Sequence, residues 1–318
     1  MNSRGIWFGD YLFDPAYKNV LEDFRQMGDR LGFSVRHSRE HVDGICLVNF
    51  HLRDAVKLIM LKSLRRVTSR MHVVTEPRVI VPALSFKFWR HLGLRRVTLG
   101  GEDGTGVFYE KPYLEREMLP LGERREKAVI VNGNKFSWVR GELYSLRRIL
   151  LFQEKGIDVF GSGWRESRLS LIRSQAVEIL RATVSPERVS FGGRHALASF
   201  ENSRGPCEDK VSTIAQYKVN LVIENSTELV TEKLIDAWMA GCIPVYVGPN
   251  LDPHGIPEST YIKASPSLED LQTALEIALG TDQVVFYKKV SDWLASREFQ
   301  ERWGYFEGWR RILRPLIT

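Results

Sequence analysis

The residues most able to do chemistry lie in one stretch, where Glu224-Asn225-Ser226 closes an apolar run (YKVNLVIE, Tyr217–Glu224) and Thr231-Glu232-Lys233 opens the next segment. Such a run reads as a buried strand, which delivers its polar residues to its carboxyl end. Thr231 has the character of a helix N-cap, placing Glu232 and Lys233 in the first turn. A helix N-terminus offers unbonded N–H groups and a favourable field for anions, and a neighbouring lysine strengthens both. The arrangement suits phosphate, with Glu232 free to accept hydrogen bonds from sugar or ribose hydroxyls. The bland alternative is a helix with an acidic first turn and a surface lysine.

Other patterns are absent. No Walker loop is present, which disfavours phosphoryl transfer from ATP. The 7 histidines form no HxH or HExxH pattern and no Asp-x-Asp occurs, so no metal site and no tightly bound cofactor is expected. No Gly-x-Ser-x-Gly elbow marks a serine hydrolase. Glu224 and Glu232 have the Glu-x7-Glu spacing of retaining glycosyltransferases, a spacing between common residues that chance often supplies.

These side chains need a frame. At 318 residues the chain has the length of two domains, and 43% hydrophobic with 26% charged residues is ordinary globular composition. The 3 cysteines, Cys46, Cys207 and Cys242, lie far apart without a CxxC, so a disulfide framework is not expected. Lys+Arg number 45 against 39 Asp+Glu, a net +6, with basic clusters at Lys62–Arg70, Arg95-Arg96 and Arg310–Arg314. Such a balance fits a mildly basic surface or an anionic partner such as a nucleotide. No RNA-reading module accompanies the clusters, so nucleic acid is not the expected partner. The N-terminal segment MNSRGIWFGDYLFDPAY has no apolar core of signal-peptide length, and a cytoplasmic protein is expected.

Strand-like and helix-like segments alternate. Gly5–Gly9, Phe33–His37, Ile45–Phe50, Met71–Thr75 and Arg95–Leu99 read as strands, with helices over Ala16–Leu31, Arg53–Leu64 and Pro82–Leu92. The charged, proline-containing stretch Lys111–Lys127 reads as a linker. The alternation restarts with strands at Ala128–Asn132, Ile157–Phe160, Tyr217–Glu224 and Ile243–Val247, and helices at Val139–Lys155, Arg168–Arg181, Thr231–Ala240 and Leu268–Leu279. Gly192–Lys210 reads as a long surface loop. This rhythm predicts an α/β protein with two parallel-sheet domains, residues 1–115 and 116–285, and a helical, aromatic tail over 286–318. Ligands of such sheets bind outside the carboxyl ends of the strands.

The stretch 217–249 resembles glycosyltransferase family 10, the α-1,3/1,4-fucosyltransferases. Tyr217-Lys218-Val219-Asn220-Leu221, Glu224-Asn225-Ser226, Thr231-Glu232-Lys233 and Ile243-Pro244-Val245 carry the likeness, in the family's order. The resemblance implies a bacterial-type GT-B protein, with two Rossmann-like domains facing a central cleft. The first would bind the glycan acceptor and the second a GDP-sugar, most readily GDP-fucose, with inverting transfer. It implies that Arg140, opening the helix after Ala128–Asn132, holds the donor diphosphate with Lys233. Tyr217, Glu224, Asn225, Ser226 and Glu232 complete the implied donor site. Glu76, after the strand ending at Thr75, stands where the family has its general base, with Asp10, Glu102 and Asp103 as competitors. Leu229 replaces an aromatic usual in the family, and the loop before it is shorter. The competing readings are a GT-B transferase of another sugar nucleotide and a non-catalytic nucleotide- or glycan-binding protein.

The tail has helically spaced Trp and Phe, as a helix packing across both domains would. Arg310, Arg311 and Arg314 among Trp303, Trp309 and Ile312 supply the second reading, peripheral contact with the inner membrane.

Overall fold

Apolar runs bounded by polar turns hydrogen-bond into two parallel sheets. The structure is a computed structural model and describes residues 4–13, 18–37, 42–48, 58, 60, 66–74, 93–99, 117–133, 158–162, 203–206, 209–224, 229–265 and 267–318.

The first sheet contains β1 (Arg4–Trp7), β2 (Phe33–Val35), β3 (Gly44–Val48), β4 (Ser69–Val74) and β5 (Arg95–Thr98), in the order β2-β1-β3-β4-β5. All of its pairings are parallel. A parallel sheet buried on both faces needs continuous apolar strands, and β3 shows why. Its Cys46 and Val48 enter one core with Ile6, Phe8, Met71 and Val73, while Ile45 and Leu47 enter another with Trp7, Val67 and Leu94. Helix α1 (Lys18–Leu31) lays Phe24 and Met27 on the first of these cores. It stops at Gly32, whose φ of 80° is a left-handed conformation that glycine adopts freely.

The second sheet contains β6 (Arg125–Gly133), β7 (Asp158–Ser162), β8 (Ser203–Pro206), β9 (Tyr217–Ile223), β10 (Ile243–Val247) and β11 (Ile262–Lys263). Its order is β11-β10-β9-β6-β7-β8, again with parallel pairings. Counted from β6, this is the Rossmann order, and the chain reverses its direction of growth between β6 and β9. The helices here are α2 (Lys210–Ile214), α3 (Glu232–Met239), α4 (Leu268–Gly280), α5 (Gln283–Leu294) and α6 (Arg297–Trp303).

Two sequence expectations need correction. Residues Arg125–Lys127 belong to β6 and not to a linker, because Arg125 pairs with Tyr217 at the start of β9. The segment read as one long loop, Gly192–Lys210, contains β8 and the start of α2. The edge strand SRGP carries no apolar signal, whereas the α2 start was readable: Asp209 accepts a hydrogen bond from Ser212 N at 2.7 Å. The helices expected over Arg53–Leu64, Pro82–Leu92, Val139–Lys155 and Arg168–Arg181 lie wholly or largely outside the described residues.

The tail divides between the two sheets. Helices α5 and α6 place Phe286, Val290, Trp293, Phe299 and Trp303 on the second sheet's core. Helix α7 (Tyr305–Ile317) places Tyr305, Trp309, Ile312, Leu313 and Leu316 on the first. Trp309 meets Phe24 edge-on, with ring centroids 5.1 Å apart. Arg4 then donates from its guanidinium to the carbonyls of Leu316 (3.3 Å) and Thr318 (2.8 Å). The apolar residues considered for a membrane surface, Trp303, Trp309 and Ile312, are all buried. Among the described residues no helix is long and apolar enough to cross a membrane.

Candidate functional site

The switch point of the second sheet is where an open α/β domain presents ligands, and β9 delivers Glu224 there. The backbone N–H of Glu224 donates to Val247 O at 2.9 Å, so the ladder with β10 continues one residue past the strand. The side chain is fully buried. Burial of a carboxylate is tolerable only with donors on both oxygens, and Glu224 has them. Oε1 accepts the Thr231 N–H at 2.8 Å, and Oε2 accepts the Thr231 hydroxyl at 2.6 Å and the Lys233 ammonium at 3.2 Å.

Thr231 precedes α3 in extended conformation, with φ −116° and ψ −176°, but it caps no helix N–H with its hydroxyl. That hydroxyl is turned to Glu224 and also accepts from Lys233 Nζ at 3.2 Å. The chain therefore places its own carboxylate near the positive end of α3, and the lysine beside it is paired and only 7% exposed. The helix start expected to offer its N–H groups and a lysine to phosphate is thus closed in a Glu224–Thr231–Lys233 unit, and the alternative of a surface lysine does not hold, since Lys233 is buried. An anionic ligand here would compete with Glu224 for Lys233.

Glu232 faces a different cation. Lys210, on α2, lies 3.7 Å from Glu232 and contacts the carboxylate of Asp236, one turn further along α3. Asp236 is fully buried, and its Oδ1 has no hydrogen-bond partner among the described residues. Burial pushes its carboxyl up to about 6 against the pull of Lys210, with Glu232 adding to the rise. Glu224 and Glu232 thus face different lysines, which removes the geometric reason to treat them as one pair.

Tyr217 is not brought to this site. It begins β9 and Glu224 follows its other end, so at 3.3 Å per residue the two are separated by roughly 20 Å. Its hydroxyl accepts from Arg125 at 3.1 Å, and that guanidinium also lies over the ring, 5.2 Å from its centre. There it helps fasten the amino ends of β6 and β9. Neighbouring Arg124 binds the carbonyls of Tyr217 (3.2 Å) and Ala240 (2.7 Å) and the Cys242 sulfur (3.3 Å). Burial pushes the Cys242 thiol up to about 12.

Arg140, Asn225, Ser226 and Glu76 lie outside the described residues, as do Glu102 and Asp103. Sequence reasoning missed Lys210, Asp236 and Tyr246. Asp236 was detectable as a lone carboxylate, one turn after Glu232, in the apolar run of α3. Lys210 was hidden by the loop assignment. Tyr246, in the apolar strand IPVYV, reads as ordinary core. Among the described residues no group of three His, Cys, Asp or Glu side chains could hold a metal ion.

No family model matches the chain. A fucosyltransferase-like protein of Arabidopsis thaliana is 34% identical over 102 residues, 31% of this chain and 18% of that protein. The match therefore spans less than a fifth of the relative's length. Among solved structures, an α-glucosyltransferase in complex with UDP and a 13-mer DNA superposes with a TM-score of 0.50 at 10% identity, covering 100% of both chains. An α1,3-fucosyltransferase superposes with a TM-score of 0.41 at 13% identity, covering 99% of this chain and 90% of its own. The full-length superposition on the α-glucosyltransferase and the two parallel α/β sheets establish a GT-B fold.

Proposed function

We propose that the protein is a glycosyltransferase that moves a sugar, L-fucose from GDP-fucose, to a hydroxyl of a bacterial surface glycan with inversion at the anomeric carbon. The observation that carries this reading is the Glu224–Thr231–Lys233 unit at the switch point of a Rossmann-ordered sheet. The GT-B fold and the 34% identity to a fucosyltransferase-like relative support it. Lys233 and Arg140 bind the donor diphosphate, Glu232, Asn225 and Ser226 orient ribose and sugar, and Glu224 holds Thr231 and Lys233 in place beneath them. Tyr217 has no part, given its place at the other end of β9. Glu76 takes the acceptor proton as the hydroxyl attacks. The transition state is oxocarbenium-like and moves negative charge onto GDP, where a guanidinium and an ammonium stabilise it most. No metal is required in this scheme. The protein would act in the cytoplasm, at the inner membrane where its acceptor is lipid-linked.

The test is calorimetric titration with GDP, UDP and CDP, repeated on Lys233→Ala and Arg140→Ala. Selective GDP binding, weakened roughly 10- to 100-fold in each variant, is the expected result for the loss of one charge-assisted contact. Tight binding of another nucleotide would keep the fold and replace the donor. No nucleotide binding would favour a non-catalytic glycan-binding protein. NMR of the product decides the stereochemistry, since a β product from a GDP-β-L-sugar contradicts inversion.

A further inference from the structure

Tyr246, next to the last residue of β10, is 2% exposed, and its hydroxyl has no hydrogen-bond partner among the described residues. A buried hydroxyl gives up its bonds to water, and native folds rarely leave one without a replacement. Nor is this phenol lost in apolar surroundings. A Cβ on Gly248 would stand 2.5 Å from Tyr246 Oη and 2.7 Å from Glu224 Cγ, so the phenol and the glutamate arm flank one glycine. Tyr261 packs on it edge-on, its ring centroid 5.9 Å from that of Tyr246. Burial first, then the nearby Glu224 charge, holds the phenol well above its ordinary value, so it is a donor at any physiological pH.

Glu224 accepts three hydrogen bonds, two from Thr231 at the start of α3 and one from the Lys233 ammonium. When Lys233 turns from Glu224 toward a diphosphate, the carboxylate loses its ion-pair partner. A fully buried carboxylate cannot lose its counter-ion cheaply unless another donor replaces it. We propose that Tyr246 is a positioning residue, whose hydroxyl donates a hydrogen bond to Glu224 when Lys233 leaves for a diphosphate, so that the lysine is released without orphaning the carboxylate. The exchange moves hydrogen bonds only and transfers no proton. Gly248 permits it, since a side chain there would fill the space between the two groups. The proposal rests on the assignment of Lys233 to the donor diphosphate.

The experiment compares Tyr246→Phe with the unaltered protein, using GDP as the probe. Thermal unfolding without ligand should be unchanged or raised, because the variant removes a buried hydroxyl that has no partner among the described residues. GDP affinity should fall about tenfold, the effect of one hydrogen bond to a charged group. In a Glu224→Gln background the same change should alter GDP affinity less than about twofold, since the charge that needs the phenol is gone. A merely structural tyrosine would lower the melting temperature and leave affinity alone, and that result would overturn the proposal. Weak binding by Lys233→Ala with unaltered binding by Tyr246→Phe would remove the exchange and keep the diphosphate site. Failure of the unaltered protein to bind GDP would remove both.

Discussion

Replacing Glu224 by Gln and Lys233 by Met, singly and together, measures the unit on which the candidate site is built. In Glu224→Gln the new side chain can keep its carbonyl oxygen on the Thr231 N–H, which Glu224 now binds at 2.8 Å. Its amide then faces the Lys233 ammonium, donor against donor, where a carboxylate oxygen now sits 3.2 Å away. The ammonium loses its ion-pair partner in a residue only 7% exposed. Removing one member of a buried ion pair costs about 3–5 kcal/mol. The retained Thr231 bond places this case at about 3 kcal/mol, a fall of roughly 6–12 °C in the transition of the second sheet. Lys233→Met keeps the aliphatic stem and leaves Glu224 its two Thr231 donors, so its cost should be similar or smaller. In the double variant both charges are absent, and its loss should fall short of the sum of the singles by about 2 kcal/mol. Differential scanning calorimetry supplies all four melting curves. A coupling below about 0.5 kcal/mol would refute the reasoning, because it would mean that the pair is not formed or is fully solvated.

The buried Asp236 makes a separate prediction about pH. Its carboxyl is raised from 3.8 to about 6, so between those values the folded state holds the proton more tightly than the unfolded chain. The stability from this group is fully present below pH 3.8 and is lost as pH rises through 6. Relative to Asp236→Asn, the unaltered protein should lose about 2 kcal/mol between about pH 4 and pH 7 in urea unfolding, and a flat difference would contradict the burial argument. Trp309→Ala deletes a fully buried indole where α7 meets Phe24. It should cost about 3–5 kcal/mol in the transition of the first sheet, and a loss below about 1 kcal/mol in thermal unfolding would show that α7 does not hold that core.

The stretch from β9 to β10 was readable because its signals agree: a continuous apolar run, polar residues at its carboxyl end and a helix start after a short loop. That agreement placed Glu224, Glu232 and Lys233 on the correct elements. It could not show which partner each would take. Lys233 is bound by a carboxylate nine positions earlier, and Glu232 by a lysine on a segment read as loop. Tyr217 was misplaced for a simpler reason. A motif lists residues in order, but an extended strand carries its first and last residues to opposite edges of the sheet. Tyr246 was invisible because nothing in an apolar strand distinguishes one buried phenol from another. The tail was legible as packing helices, but a hydrophobic period does not say which sheet each helix will cover.

Helix α7 also constrains the order in which the chain can reach its native state. Domains generally fold as units during synthesis, the N-terminal one first. Here the first sheet lacks Tyr305, Trp309, Ile312, Leu313 and Leu316 until α7 has been made. The contact from Arg4 to Leu316 joins positions separated by 312 in sequence. A nascent chain must therefore hold an incomplete β1–β5 sheet, with the side of Phe24 and Phe8 open, while the whole second sheet is translated. Closure across so long a span is slow, and the exposed apolar face in that interval is a surface for chaperones or for aggregation.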